Sequence, residues 1–228
     1  MENKLVLKSY IGFSVLYLLI ILFGYENIAW YLKPFLIPFL ILAVYISENF
    51  ASKKILMIAL LFSWIGDVIL MFSDRAELYF ILGLIAFLIS HIVYILLFSK
   101  QEKARTIENK SKYWIGISLI LVYFAVMVFT LFPKLGPLKI PVLVYATVIT
   151  SMLYFAFKGS FIWVKLSDNP ILVGAVFFVS SDSILAFNKF YSPIPSGSFL
   201  IMLTYIAAQY FIVNGILKLN QKKIAFSF

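Results

Sequence analysis

LYFILGLIAFLISHIVYILLF, residues 78–98, decides the fold: it runs for twenty-one residues without an Asp, Glu, Lys or Arg. A helix needs about 20 apolar residues to cross the hydrocarbon core of a bilayer. The run is continuously apolar, whereas a barrel strand is about ten residues of alternating polarity, so an α-helical membrane span follows. Similar runs recur along the chain between short polar breaks, giving eight expected spans over residues 7–24, 32–47, 55–72, 78–98, 113–132, 140–157, 170–188 and 197–217. The expected fold is an all-α polytopic bundle forming a single transmembrane domain over residues 1–228. Loops are short, so neighbouring helices are expected to be antiparallel.

Composition agrees. The chain is 63% hydrophobic and only 13% charged, against about 25% charged residues in soluble domains. The net charge of +9 would fit nucleic acid if it were clustered, but it follows the membrane instead. Fourteen of the nineteen Lys and Arg fall on one side: Lys4, Lys8, Lys53, Lys54, Lys100, Lys103, Arg105, Lys110, Lys112, Lys158, Lys165, Lys218, Lys222 and Lys223. Lys33, Arg75, Lys134, Lys139 and Lys189 fall on the other. The positive-inside rule makes the first side cytoplasmic, with both termini there. The basic balance thus reads as topology and contact with anionic lipid, with no nucleic-acid partner. The expected location is multi-pass in a bacterial cytoplasmic membrane. The first apolar run lacks a small-residue cleavage site, since Tyr25, Glu26 and Asn27 follow it, and reads as a retained helix. There is no cysteine, which removes thiolate nucleophiles and Cys-based metal sites.

Three ionisable side chains interrupt these spans: Asp67, His91 and Asp182. A charge at membrane depth costs at least about 2.5–3.5 kcal/mol, so it persists where it has a partner or a task. At 1.5 Å per residue both aspartates lie roughly 7–9 Å below the outer boundary, and His91 roughly 20 Å down. Helical spacing gives each group companions: Ser63 with Asp67, Phe87 and Tyr94 with His91, Phe178 with Asp182, and Tyr205 with Gln209. Trp64, Ser181, Ser183 and Asn188 are further candidates for a cavity lining, and Lys33 offers a cation to an anionic headgroup. Blander readings stand beside these. Either aspartate alone fits a structural group bonded across helices. His91 fits a core histidine, and Tyr94, Tyr205 and Gln209 fit interhelical hydrogen bonding. Lys33 fits a snorkelling anchor, and Gly83 and Gly174 fit close helix packing. One His and two Asp are a conceivable metal triad, but no sequence proximity enforces it. Nucleotide-binding, nucleophile-elbow and zinc-protease motifs are absent.

Gly66-Asp67-Val68-Ile69-Leu70, the block from Gly83 through Ser90-His91 to Tyr94, Gly174 through Phe178 into Ser181-Asp182-Ser183, and Tyr205 with Ala208-Gln209 together resemble the signature blocks of the YhhN family. Lys33-Pro34 fits the same pattern. The resemblance implies a lysoplasmalogenase: hydrolysis of the alkenyl ether of a lysoplasmalogen to a fatty aldehyde and glycerophosphoethanolamine or glycerophosphocholine. It also implies that Asp67 and Asp182 are the important carboxylates. The chemistry suits the residues. Protonating the β-carbon of a vinyl ether gives an oxocarbenium ion, and water then adds to form a hemiacetal that collapses. One acid and one carboxylate suffice, a division of labour that glycosidases use. His91 and Tyr94 would orient a carboxylate or water; Lys33, Ser63, Asn188, Tyr205 and Gln209 would contact the lysophospholipid; no metal or organic cofactor is needed. Two other classes remain open on the residues alone: a proton-coupled transporter of lipid or small molecules using the aspartates, favoured by broken helices or an inverted repeat, and a non-catalytic scaffold.

Overall fold

The computed structural model describes residues 2–164, 166 and 168–226, with side chains described for 3–164, 166 and 168–221. Lys165, counted above among the cytoplasmic charges, and the side chains of Lys222 and Lys223 lie outside the described residues. Every regular element among the described residues is helical: α1 (Glu2–Leu22), α2 (Glu26–Leu32), α3 (Leu36–Tyr45), α4 (Lys53–Leu70), α5 (Glu77–Ser99), α6 (Lys110–Leu131), α7 (Lys139–Ile162), α8 (Pro170–Phe190) and α9 (Gly197–Phe226). Seven stretches are long and apolar enough to cross a membrane. The eighth expected span, α4, is not among them, because its 18 residues include three charged ones, Lys53, Lys54 and Asp67. The protein is an all-α, polytopic membrane protein.

Residues Met1–Leu97 with Ile216–Phe228 form one compact unit, and Phe98–Gly215 a second. In the first, α1 packs on α3 and α3 on α4. The span expected at 32–47 begins earlier, at Glu26, and is interrupted by a 3₁₀ turn at Lys33–Phe35. Pro34 is the cause, since it has no N–H to give the helix ladder. Its carbonyl is taken up instead by the Trp64 indole of α4 at 2.8 Å. The C-terminus of α3 is closed by Lys53, whose ammonium donates to the Tyr45 and Ser47 carbonyls at 2.8 and 2.7 Å. Where α4 crosses α5, glycines set the approach: a Cβ on Gly66 would lie 2.6 Å from the Phe87 ring, and one on Gly83 2.5 Å from Leu70.

In the second unit α7 packs on α6 and α8. Asn109 caps α6, accepting from the Lys112 amide at 2.9 Å. Much of α6 is bare: Trp114, Leu119, Val122, Val126 and Phe129 are exposed, Phe129 at 79%. Such an apolar face belongs against lipid. The span expected to end at Phe157 continues to Ile162 because its last carbonyls have a partner distant in sequence. Arg105 donates from its side chain to Ser160 and Trp163 carbonyls at 3.0 and 2.8 Å, and the Ala104 and Arg105 amides reach the Ile162 carbonyl. Pro133 and Pro137 fall in two 3₁₀ turns between α6 and α7, as the expected outer loop requires. Gly174 of α8 lies against α9, where a Cβ would meet the Ala208 carbonyl and the Ile212 amide at 2.8 Å.

Because that neighbour is backbone, Gly174→Ala forces α8 and α9 apart and should cost about 1–3 kcal/mol. Gly12→Ala, which meets nothing within 4 Å, should not. Thermal unfolding in detergent, followed by tryptophan fluorescence, checks this: a clear drop in Tm for the first variant and none for the second.

Candidate functional site

The first unit gathers a polar cluster around Asp67. The carboxylate is 3% exposed, at the fourth residue from the end of α4, and the Lys33 ammonium lies 3.9 Å from its Oδ1. That separation is an ion pair rather than a hydrogen bond. The 3₁₀ turn places the ammonium there, at the point where the second span changes helical geometry. Helix α1 contributes a stripe that the sequence reading passed over: Tyr10, Ser14 and Tyr17, at helical spacing and all buried. Tyr10 and Tyr17 both lie within electrostatic reach of Asp67. The signal was available in the i, i+4, i+7 periodicity of three hydroxyls in an otherwise apolar run.

Deeper in the same unit Ser63, Ser90 and Tyr94 form a closed chain. Ser90 spends its single proton on the Ala59 carbonyl at 2.8 Å, so across the 2.7 Å contact Ser63 is the donor to Ser90. Tyr94, hydrogen-bonded to Ser63, must then donate to it. All three are buried, and the chain ties α4 to α5. His91 is fully buried on α5, one turn beyond the Phe87 ring that covers Gly66. The structure thus brings Lys33, Ser63, Asp67, His91 and Tyr94 into one unit, with Lys33 directly at Asp67 and Ser63 and Tyr94 in an interhelical hydroxyl chain.

The second unit holds Asp182, Asn188, Tyr205 and Gln209. Asp182 is partly buried, and the Tyr145 hydroxyl of α7 donates to its Oδ2 at 2.5 Å. Tyr123 of α6 is hydrogen-bonded to Ser183, and since Ser183 gives its proton to the Val179 carbonyl, Tyr123 is the donor. Three helices therefore converge on the Ser181-Asp182-Ser183 segment. Tyr123 and Tyr145 were not singled out in the sequence, because each stands alone in an apolar stretch without a polar companion one turn away. Tyr205 and Gln209 are joined at 3.3 Å, with Phe178 edge-on to Tyr205 at 5.6 Å, and they seal the buried α8–α9 contact. Ser181 donates to the Ile201 carbonyl across the same contact. Asn188 accepts from the Ile194 amide at 2.8 Å and fastens the loop after α8. No group of three His, Asp or Glu side chains arranged to hold a metal occurs among the described residues.

The family model described as "YhhN family" matches residues 28–216. The chain belongs to the YhhN family. Among curated relatives, it is 30% identical over 164 residues to human lysoplasmalogenase TMEM86A and 31% identical over 166 residues to the bovine protein of that name. Each alignment covers 69% of this chain and 63% of the relative. Human lysoplasmalogenase TMEM86B is 28% identical over 192 residues, 80% of this chain and 73% of the relative. The chain thus spans a little under two thirds of the length of the TMEM86A relatives. No solved structure matches. Asp67, Asp182 and the other expected site residues all lie within the YhhN match, whereas Tyr10 and Tyr17 precede it.

A buried ion pair responds to loss of one partner more than to loss of both. Lys33→Met should therefore destabilise the YhhN protein by about 1–3 kcal/mol, while Lys33→Met combined with Asp67→Asn recovers most of that loss, a non-additivity that a double-mutant cycle of thermal unfolding reads directly.

Proposed function

We propose that this YhhN protein is a lysoplasmalogenase that cleaves the alkenyl ether of a lysophospholipid within the membrane. The observation that carries the reading is a carboxylate, Asp67, buried beside an ammonium in an otherwise apolar helix of the family-matched segment. The names of the mammalian relatives support the same reaction class.

The chemistry runs in three steps. A proton adds to the β-carbon of the vinyl ether and leaves an oxocarbenium ion. Water then attacks the α-carbon, giving its second proton to a base, and the hemiacetal so formed breaks into fatty aldehyde and the glycerol hydroxyl of the glycerophospho-headgroup compound. Asp67 suits the charge-stabilising and water-activating role, because Lys33 orients it and an anion beside the developing cation lowers the barrier. Asp182 suits the donor role, since its hydrogen-bond donor is the neutral phenol of Tyr145 and not a cation. Tyr10 and Tyr17 orient the Asp67 side chain, and His91 and Tyr94 hold the α4–α5 wall behind it. A single-chain amphiphile reaches such a site laterally from the bilayer, so the membrane itself delivers the substrate.

The test is fatty aldehyde release from 1-alkenyl lysophosphocholine and lysophosphoethanolamine by the purified protein in detergent. General acid–base groups typically contribute about 10²–10⁴ in rate; Asp67→Asn and Asp182→Asn, each verified as folded, should lose activity on that scale. Tyr145→Phe should lose roughly fivefold, the worth of one neutral hydrogen bond of about 1 kcal/mol. Turnover should also slow in D2O, because proton transfer to carbon is in the slow step. A folded parent that releases no aldehyde from either lipid overturns the assignment.

A further inference from the structure

One group of residues in the first unit lies outside the chemistry described so far. Beyond Asp67, α4 ends at Leu70 and the chain turns through residues 71–76 into α5. Here Trp30 of α2, Phe72 and Arg75 of the turn, and Tyr79 of α5 come together. The Trp30 indole donates to the Met71 carbonyl at 3.3 Å and meets the Phe72 ring edge-on at 5.8 Å. Phe72 packs against Tyr79 at 5.9 Å, and the Arg75 guanidinium lies 4.9 Å from the Phe72 ring centre. Trp30 also meets Tyr31 edge-on at 5.1 Å. The group is accessible: Arg75 is exposed, Trp30 is 38% and Tyr79 40% exposed.

We propose that Arg75, Trp30 and Tyr79 form the headgroup subsite of this protein, with Arg75 taking the phosphate and the aromatic rings taking the ammonium of a zwitterionic lysophospholipid. A guanidinium held over a ring at 4.9 Å and exposed to its surroundings offers five N–H donors in the fork that pairs with phosphate oxygens. Exposed Trp and Tyr faces attract a quaternary or primary ammonium through the ring quadrupole. The spacing fits the substrate. Five bonds of about 1.5 Å each separate the sn-1 ether oxygen from phosphorus across the glycerol, an extended reach of about 6 Å. Leu70, the last residue of α4, lies three residues beyond Asp67, about 4.5 Å along the helix, and Phe72 follows two residues later in the turn. An ether placed at Asp67 therefore puts its phosphate at the level of Phe72 and Arg75. Lys33, the cation that the sequence offered to the headgroup, is engaged with Asp67 and lies on the reacting side of this subsite.

An aromatic belt would supply the rings alone, as interfacial Trp and Tyr do in many membrane proteins. A subsite makes a stricter demand, that the protein discriminates lipids by their phosphate. The inference rests on the lysophospholipid reading of the Asp67 site, so its test uses a lipid that cannot be turned over. In nanodiscs, binding of 1-O-hexadecyl lysophosphocholine, whose saturated ether cannot be protonated at carbon, is compared with binding of 1-O-hexadecylglycerol, which has the same chain and no phosphate. Tryptophan fluorescence and calorimetry supply the two readouts. The parent should prefer the phosphocholine lipid by at least tenfold. Arg75→Gln should remove that preference, Arg75→Lys should keep part of it, and Trp30→Leu should weaken choline binding by about fivefold with little change for hexadecylglycerol. A parent that binds both lipids alike overturns the subsite, whether or not it hydrolyses vinyl ethers. A folded Arg75→Gln that keeps the full preference overturns it equally. If the preference behaves as stated while no aldehyde is ever released, the subsite stands and the hydrolase reading falls.

Discussion

Much of the first unit is arranged around the Asp67 carboxylate, which is buried in the otherwise apolar helix α4. An ionised carboxylate placed in hydrocarbon is costly, and the cost falls when a cation lies close by. Lys33 can lie at 3.9 Å only because its helix tightens into a 3₁₀ turn at that point. The turn holds Pro34, whose carbonyl finds no helix donor because Pro38 stands four residues on, and α4 provides one in Trp64, three residues before the aspartate. Helix α4 therefore carries both the charged group and the side chain that stabilises the distortion facing it. The hydroxyls of α1 extend the polar surroundings from a third direction.

The second unit satisfies its carboxylate differently. Asp182 has a neutral phenol as its donor, and the neighbouring Ser183 is itself the end of a hydroxyl chain from Tyr123 to the Val179 carbonyl. A cation stands beside one aspartate and a neutral donor beside the other, so the two carboxyl groups are in chemically unlike surroundings. Both α4 and α8 run unbroken through their aspartates. Carriers that load ions at mid-membrane commonly unwind the helices that hold the ion, and neither aspartate-bearing helix here does so.

The spans, the charged intruders and the close-packing glycines were legible in the sequence because each is a local pattern: an apolar run, a lone charge, a residue without a side chain. Gly83 and Gly174 do admit Leu70 and the α9 backbone. Partners distant in sequence were not legible. Tyr145 meets Asp182 across 37 residues of separation, and nothing in an apolar stretch with one tyrosine says which way that tyrosine faces. The end of α7 was placed too early for the same reason, since its closing carbonyls are taken by Arg105 more than fifty residues upstream. Tyr10, Ser14 and Tyr17 are the exception: their stripe was readable, but an apolar first helix after two lysines draws attention as a possible leader before its periodicity is weighed.

Buried polar groups in this protein fall into two kinds, and the difference separates architecture from chemistry. The chain from Tyr94 through Ser63 and Ser90 ends on the Ala59 carbonyl, so the single proton of each hydroxyl is committed and each link joins one helix to the next. Asn188 and Ser181 likewise end on backbone groups. Such networks lower the cost of burial by satisfying every member, and they fix helix register without retaining capacity for a ligand. Asp67 and Asp182 sit instead where chains of side chains stop on an oxygen that can change its protonation. The Lys33–Asp67 separation of 3.9 Å is that of an ion pair, so the ammonium offsets the charge of the carboxylate. A carboxyl changes its charge when it gains or loses a proton, which a serine whose proton is given to a carbonyl does not.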